Sequence, residues 1–278
     1  MESYEETLQY GIQNLSAQGI ENANLDAWYL LSHICGGMSR TDYFLCKEEN
    51  IPEQFFLQFQ QLLKRRMEHE PIQYIIGEQE FMGLTFLVNS NVLIPRQDTE
   101  VLVEHALSMC QGKSVLDVCT GSGCIAVSLA KLGSPAYVAA IDISLKALNV
   151  AKKNAIKNGV NVNFIESNMF QEVNQKYDII VSNPPYIKRG DIDTLMPEVK
   201  EFEPEIALDG KEDGLEFYRI LTTQAIRYLN PDGKVIFEIG HDQAKAVCEL
   251  LRENGYYNIK IIKDYSNLDR VVSASLDM

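Results

Sequence analysis

The chain has 278 residues, 46% of them hydrophobic and 23% charged, a globular composition with room for one large domain or a medium and a small one. Its formal net charge of -14 leans against DNA or RNA as the main partner, because a nucleic-acid surface needs basic groups to neutralise phosphates. The same balance favours a neutral or basic protein surface.

No run of about 18 apolar residues occurs, so no membrane span is expected. The opening residues carry Glu2, Glu5 and Glu6 and lack a basic-then-apolar signal pattern, so a cytoplasmic location is expected. Six cysteines, Cys35, Cys46, Cys110, Cys119, Cys124 and Cys248, form no Cys-x-x-Cys pair and no cluster with histidine. They read as reduced thiols, and no metal site is expected. His33, His69, His105 and His241 carry no evident chemistry.

Residues 1–70 read as a small helical domain. Residues 25–35 form an apolar helix stopped by Gly36-Gly37. Pro52 suits a first helical turn, after which Phe55, Phe56, Phe59, Leu62 and Leu63 recur at helical spacing on one face. The basic cluster Lys64, Arg65 and Arg66 reads as the solvated end of that helix. Pro71 marks a change, and residues 73–88, rich in β-formers and broken at Met82-Gly83, read as a β-hairpin. Residues 71–95 are taken as a linker, and residues 96–278 as the second domain.

In the second domain the pattern alternates. Helices are expected at residues 98–109, 125–132, 145–158, 215–229 and 243–254. Strands are expected at 114–118, 137–141, 162–165, 178–181, 234–238, 259–263 and 271–275. Such alternation implies an α/β domain with a mostly parallel sheet covered on both faces. Seven strands closing on a β-β pair match a Rossmann-like methyltransferase sheet better than a dehydrogenase sheet.

Two segments carry chemistry. Residues 115–124 run from a strand through Cys119, Thr120, Gly121, Ser122 and Gly123 into a helix. The G-x-G-x-x-G fingerprint that sets a helix N-terminus on a pyrophosphate is absent. The turn Asp117-x-Cys119-x-Gly121-x-Gly123 instead suits S-adenosylmethionine, which has no phosphate. Asp142, ending the next strand, is placed to bond a ribose diol, as an acid there also does for NAD.

The second segment is Asn183-Pro184-Pro185-Tyr186, just after the fourth strand. Two consecutive prolines there give up two N–H donors, a costly choice for a plain turn. An amide or exocyclic amine nitrogen is a poor nucleophile because its lone pair is delocalised. Acceptors aimed at its N–H groups, the Asn183 side-chain oxygen and the Pro184 carbonyl, orient it and favour the positively charged transition state. Tyr186 can pack on the planar acceptor. The motif names the acceptor atom without naming the substrate, since amino-methylating DNA enzymes carry it too.

The wider sequence resembles the PrmC/HemK family of protein-glutamine methyltransferases. The resemblance lies in Pro71-Ile72-Gln73-Tyr74-Ile75-Ile76-Gly77, in residues 81–86, in residues 92–100 (Val-Leu-Ile-Pro-Arg-Gln-Asp-Thr-Glu) and in Glu203-Pro204-Glu205-Ile206-Ala207-Leu208. It implies a class I methyltransferase domain with a helical substrate-recognition domain. It also implies methylation, with S-adenosylmethionine, of the glutamine of the Gly-Gly-Gln motif in class I peptide-chain release factors; a monomer is expected. Residue by residue it implies that Cys119, Thr120, Gly121, Ser122 and Gly123 form the cofactor loop. Asp142 becomes the ribose ligand, Met169 the neighbour of the adenine, and Asn183 to Tyr186 the clamp on the glutamine, with Asn183 touching both ligands. Cys119 stands where the family usually has glycine, and Asn168-Met169 where it often has Asp-Trp. Arg96 and Glu100 read either as ion-pair anchors of the hairpin or as neighbours of the substrate, and Glu203 as loop structure. The alternatives are a glutamine methyltransferase acting on a ribosomal protein and a DNA or RNA amino-methyltransferase. A non-catalytic cofactor-binding module is the reading from another class, and the intact Asn183-Pro184-Pro185-Tyr186 argues against it.

Overall fold

The computed structural model describes residues 2–276, so only the extreme ends of the outer domain ranges fall outside it. The chain divides into two compact units, Met1–Gly77 with Met196–Phe202, and Glu78–Leu195 with Glu203–Met278.

The first unit is helical: α1 (Tyr4–Ala17), α2 (Ala23–Ile34), α3 (Arg40–Cys46), α4 (Glu53–Met67) and α5 (Ile72–Ile76). Ser3 opens α1 with a capping box, its hydroxyl accepting from Glu6 N–H at 3.1 Å while Glu6 Oε2 accepts from Ser3 N–H at 2.8 Å. Gly36 and Gly37 follow α2 at φ 73 and 88, where a left-handed backbone ends the helix. The apolar face expected on α4 is present: Phe59 and Leu63 are buried with Leu15, Leu30 and Leu31, and Phe55, Phe56 and Leu62 pack around them.

Two expectations in this unit fail. Of the basic cluster only Lys64 is exposed. Arg65 binds Glu70 at 2.6 Å, and Arg66 is buried, donating from Nε to Asp26 Oδ2 at 2.7 Å and from Nη2 to Glu198. Residues 59, 63 and 66 share one helix face, so the apolar stripe carries Arg66 inward with it. Residues 73–77 are a helical turn and not strand. Pro71 starts it, Gly77 at φ 81 caps it, and local hydrogen bonds override the β preference of isoleucine and tyrosine.

The hairpin is β1 (Glu78–Phe81) and β2 (Leu84–Leu87), turning through Met82 at φ 53 and Gly83 at φ 70, the positive φ pair of a two-residue type I′ turn. Then follow α6 (Gln97–Leu107), β3 (Ser114–Val118), α7 (Cys124–Leu132), β4 (Tyr137–Asp142), α8 (Leu145–Lys157), β5 (Asn163–Glu166) and β6 (Tyr177–Ser182). The chain next supplies α9 (Pro197–Phe202) to the first unit. The second unit resumes with α10 (Glu216–Gln224), β7 (Leu229–Glu238), α11 (Ala244–Glu253), β8 (Tyr256–Lys263) and β9 (Asp269–Leu276). The helix expected to run to residue 229 stops at Gln224, and a 3-10 turn leads into a strand that starts five residues early. Pro231 disfavours helix at Asn230, so the chain must leave the helix first.

The seven strands lie in the order β5-β4-β3-β6-β7-β9-β8, parallel from β5 to β7, with β9 antiparallel to β7 and to β8. This is the Rossmann-like sheet expected. Alternate residues serve opposite faces. Leu116, Val118, Ile180 and Phe237 join Tyr218 and Val247 in one core. Val115, Val181 and Ile236 join Leu102, Ile125 and Leu129 in the other. Strand order reverses at β3, so the carboxyl ends of β3, β4 and β6 border a crevice.

Candidate cofactor and acceptor site

That crevice is a cavity of about 350 Å³, within the size range of small-molecule sites. Cys119, Thr120, Gly121, Ser122, Asp142, Met169, Asn183 and Pro185 all line it. Four separate stretches of sequence meet there because each lies at or just beyond the carboxyl end of a parallel strand. Gly123, Pro184 and Tyr186 do not line it.

The loop after β3 is tied down from below. Asp117, wholly buried, accepts from Thr120 Oγ1 at 2.6 Å and from Ala126 N–H at 3.3 Å. Burial pushes its carboxyl up to about 7 against those two bonds. Asp142 accepts from Gly121 N–H at 2.8 Å and through its other oxygen from Ser144 N–H at 2.8 Å. Burial raises its carboxyl, opposed by backbone N–H groups. Each oxygen keeps a lone pair for a ligand in the cavity.

The glycines have different reasons. Gly121 has φ 54, and a Cβ there would project into open space. Gly123 has φ 80, and a Cβ there would stand 2.9 Å from Ala151 Cβ of α8, so its close approach is to a helix. Cys119 holds φ 62, a left-handed conformation that costs a side chain roughly 1–2 kcal/mol, which explains a preference for glycine there. Burial pushes its thiol well above the ordinary cysteine range.

Asn183 turns its Nδ2 toward Thr99 Oγ1 at 3.3 Å. Burial pushes the carboxyl of Glu238, which ends β7, up to about 7, opposed by the polar side chains of Thr99 and Asn183 beside it. Tyr186 is half-buried against the core with its hydroxyl raised by burial. Its backbone is closely wrapped: Gln243 Nε2 donates to its carbonyl at 3.0 Å, and a Cβ on Gly210 or Gly214 would strike its backbone at 2.7 or 2.4 Å.

Arg96 pairs with the buried Glu203 carboxylate, the ion-pair alternative for Arg96, and the pair ties the segment at Glu203 to the start of α6. Glu100 accepts from Met82 N–H at 2.6 Å and pins the hairpin tip, the anchoring alternative for that residue. Sequence reasoning missed Thr99, Glu238 and Asn154. Asn154 is fully buried in α8, donating to Ser122 O at 2.8 Å and Leu87 O at 3.0 Å while accepting from Leu87 N–H at 2.6 Å. Its signal was legible as an asparagine on the apolar face shared by Ala147, Val150 and Ala151. Glu238, ending a buried apolar strand, was legible in the same way.

Among the described residues no cluster of metal-ligating side chains occurs, and no helix is long and apolar enough to cross a membrane. Residues 6–77 match the PrmC N-terminal domain family, and residues 96–199 match the methyltransferase small domain family. The chain is 41% identical to the release factor glutamine methyltransferase of Geobacter sulfurreducens, over 94% of this chain and 93% of that one. It is 41% identical to the release factor glutamine methyltransferase of Clostridium acetobutylicum, over 90% of each. A methyltransferase from Pyrococcus furiosus shares the fold at a TM-score of 0.54 and 19% identity, over 71% of this chain and 91% of that one. Matched in both its helical and its catalytic part, and colinear with such relatives over nearly their whole length, the chain belongs to the release factor glutamine methyltransferase family.

Proposed function

We propose that the chain transfers a methyl group from S-adenosylmethionine to the side-chain amide nitrogen of the glutamine in the Gly-Gly-Gln motif of a class I peptide-chain release factor. The observation that carries this reading is one cavity bordered by both Asp142 and Asn183, in a chain of this family.

The residues present fit the cofactor. It has no phosphate, and the two cations on the cavity wall are already engaged, Arg96 with Glu203 and Lys211 with Asp209 at 3.0 Å. The loop of Cys119, Thr120, Gly121 and Ser122 would hold the amino-acid part, Asp142 the ribose and Met169 a face of the adenine. Gly123 supports that loop by its packing on α8. When bound, the cofactor supplies a methyl carbon on a positively charged sulfur.

The protein's own contribution is placement and electrostatics. Asn183 Oδ1 and the Pro184 carbonyl accept the two N–H bonds of the glutamine amide. They turn its lone pair toward the methyl and stabilise the charge the nitrogen gains. The proton that the nitrogen sheds starts on one of those hydrogen bonds and passes to water, since neither amide oxygen is basic enough to keep it. Pro185 stiffens that carbonyl, and Tyr186 secures the turn through its core packing and wrapped backbone.

The net charge of -14 supports a protein substrate over a nucleic acid, and the chain is read as a monomer. A cytoplasmic location follows from a substrate that works where translation runs. The deciding experiment incubates the enzyme, cofactor and release factor and locates the added methyl by mass spectrometry. It is expected on the Gly-Gly-Gln glutamine and absent when that glutamine is replaced. Labelling of a ribosomal protein or of nucleic acid alone would overturn the reading.

A further inference from the structure

A primary amide offers an acceptor on one side and two donors on the other, and its environment decides which faces a ligand. Asn183 borders the cavity, yet its nitrogen is turned away from it, donating to Thr99 Oγ1 at 3.3 Å on the side where the buried Glu238 carboxyl lies. Thr99 is 2% and Glu238 1% exposed. An ionised carboxylate can only accept, so it draws the Thr99 hydroxyl hydrogen and one Asn183 N–H toward itself. The Thr99 oxygen, its hydrogen spent, accepts the other. Both contacts therefore select the same face of the amide.

The surroundings show that Glu238 is not there for packing alone. Its Oε2 has no hydrogen-bond partner among the described residues, a costly state for a carboxylate in a core. Arg270 of β9 lowers the cost from nearby and is itself anchored to Asp264 at 3.1 Å and Asp98 at 3.1 Å. We propose that Thr99 and Glu238 are positioning residues that hold the Asn183 amide with its nitrogen toward the core and its oxygen toward the cavity. Asn183 is thereby an acceptor and never a donor toward the glutamine. The inference rests on the acceptor role given to Asn183 above.

The arrangement has a charge condition. Protonated Glu238 donates, and the network then accepts either face of the amide. The titratable and charged groups facing Glu238 are Asp98 of α6, Cys124 of α7, Tyr186 beyond β6, Tyr218 of α10 and Arg270 of β9. Burial pushes the thiol and both phenols up, so they stay neutral, whereas Glu238 changes charge at about 7.

The test uses the full chain with a release factor as substrate, both substrates saturating, and four variants: Asn183→Ala, Thr99→Val, Thr99→Ser and Glu238→Gln. Thr99→Val is expected to lower kcat about tenfold or more, approaching the roughly 10²–10³ lost with a whole transition-state hydrogen bond. Thr99→Ser restores it to within about threefold, because the hydroxyl is back. Wild-type kcat should fall as pH drops through about 7, and Glu238→Gln should be slower with that limb gone. Binding of S-adenosylhomocysteine and the melting temperature report whether each variant is folded. If Asn183→Ala is inactive while folded Thr99→Val and Glu238→Gln keep wild-type kcat and the acid limb, the positioning inference is overturned alone. If Asn183→Ala itself turns over normally, the acceptor reading beneath it falls.

Discussion

Under the proposed function, Asn183 and Asp142 divide the work at the level of single residues. Replacing Asn183 by alanine removes the acceptor and one hydrogen bond to Thr99, but no apolar packing of the core, since the side chain is half-buried. Turnover should drop about 10²–10³-fold with the fold intact, and single-turnover kinetics would show it. Asp142→Ala acts on the other ligand. A charge-assisted hydrogen bond is worth roughly 1.5–3 kcal/mol, so cofactor affinity should fall by at least about tenfold. Calorimetric titration checks this, and an unchanged dissociation constant would place the cofactor elsewhere. Both positions on the cavity wall were readable in the sequence, because Asp142 ends one strand and Asn183 follows another. Thr99 was not, because a threonine in the first turn of a helix has many ordinary uses; only the neighbouring amide and carboxylate give it a role.

The elements around the cavity are fastened by polar side chains buried between them. Asn154 of α8 serves β2 through both backbone groups of Leu87 and the loop through Ser122 O. Asn154→Ala would strand three buried polar groups, each costing roughly 1–3 kcal/mol when left unmade, partly recovered by local shifts. We expect a clear fall in stability, read in urea unfolding, with weaker cofactor binding because Ser122 lies in the loop. Loss of stability without any change in cofactor affinity would separate the fastening from the site. Glu100 does the same for the hairpin tip through Met82 N–H, so β1 and β2 hold to the catalytic unit by side-chain-to-backbone bonds. A register of that kind is invisible in periodicity, which reports which face is apolar and not what it meets.

Asp117 and Glu238 make the stability of the whole chain depend on pH. Both carboxyls, at about 7 against ordinary values of 3.8 and 4.5, bind a proton more tightly folded than unfolded. Their contribution is complete below about pH 4 and is lost as pH rises through about 7. Scanning calorimetry should therefore show a smaller fall in melting temperature from about pH 5 to about pH 8 in Glu238→Gln than in wild type. Substrate selection belongs to the same scale. Under the proposed function, binding energy remote from the reacting amide serves its orientation. A short Gly-Gly-Gln peptide should accordingly be a much poorer substrate than the intact release factor, judged by kcat/KM. Equal values would remove the need for a recognition surface away from the cavity.

The order of strands and helices and the turns that bring the strand ends to the cavity were determined locally. Period-two and period-3.6 patterns, glycine turns and paired prolines act over a few residues, and the seven expected strands are all present. Only tertiary structure decided that Arg66 is buried beside Asp26 and Glu198, that residues 73–77 coil, and that Thr99, Glu238 and Asn154 support the site. The physical reason is common to these cases. A charged or amide group can lie in a core only when a partner from a distant part of the chain satisfies it. Sequence spacing records the group, and folding alone supplies the partner.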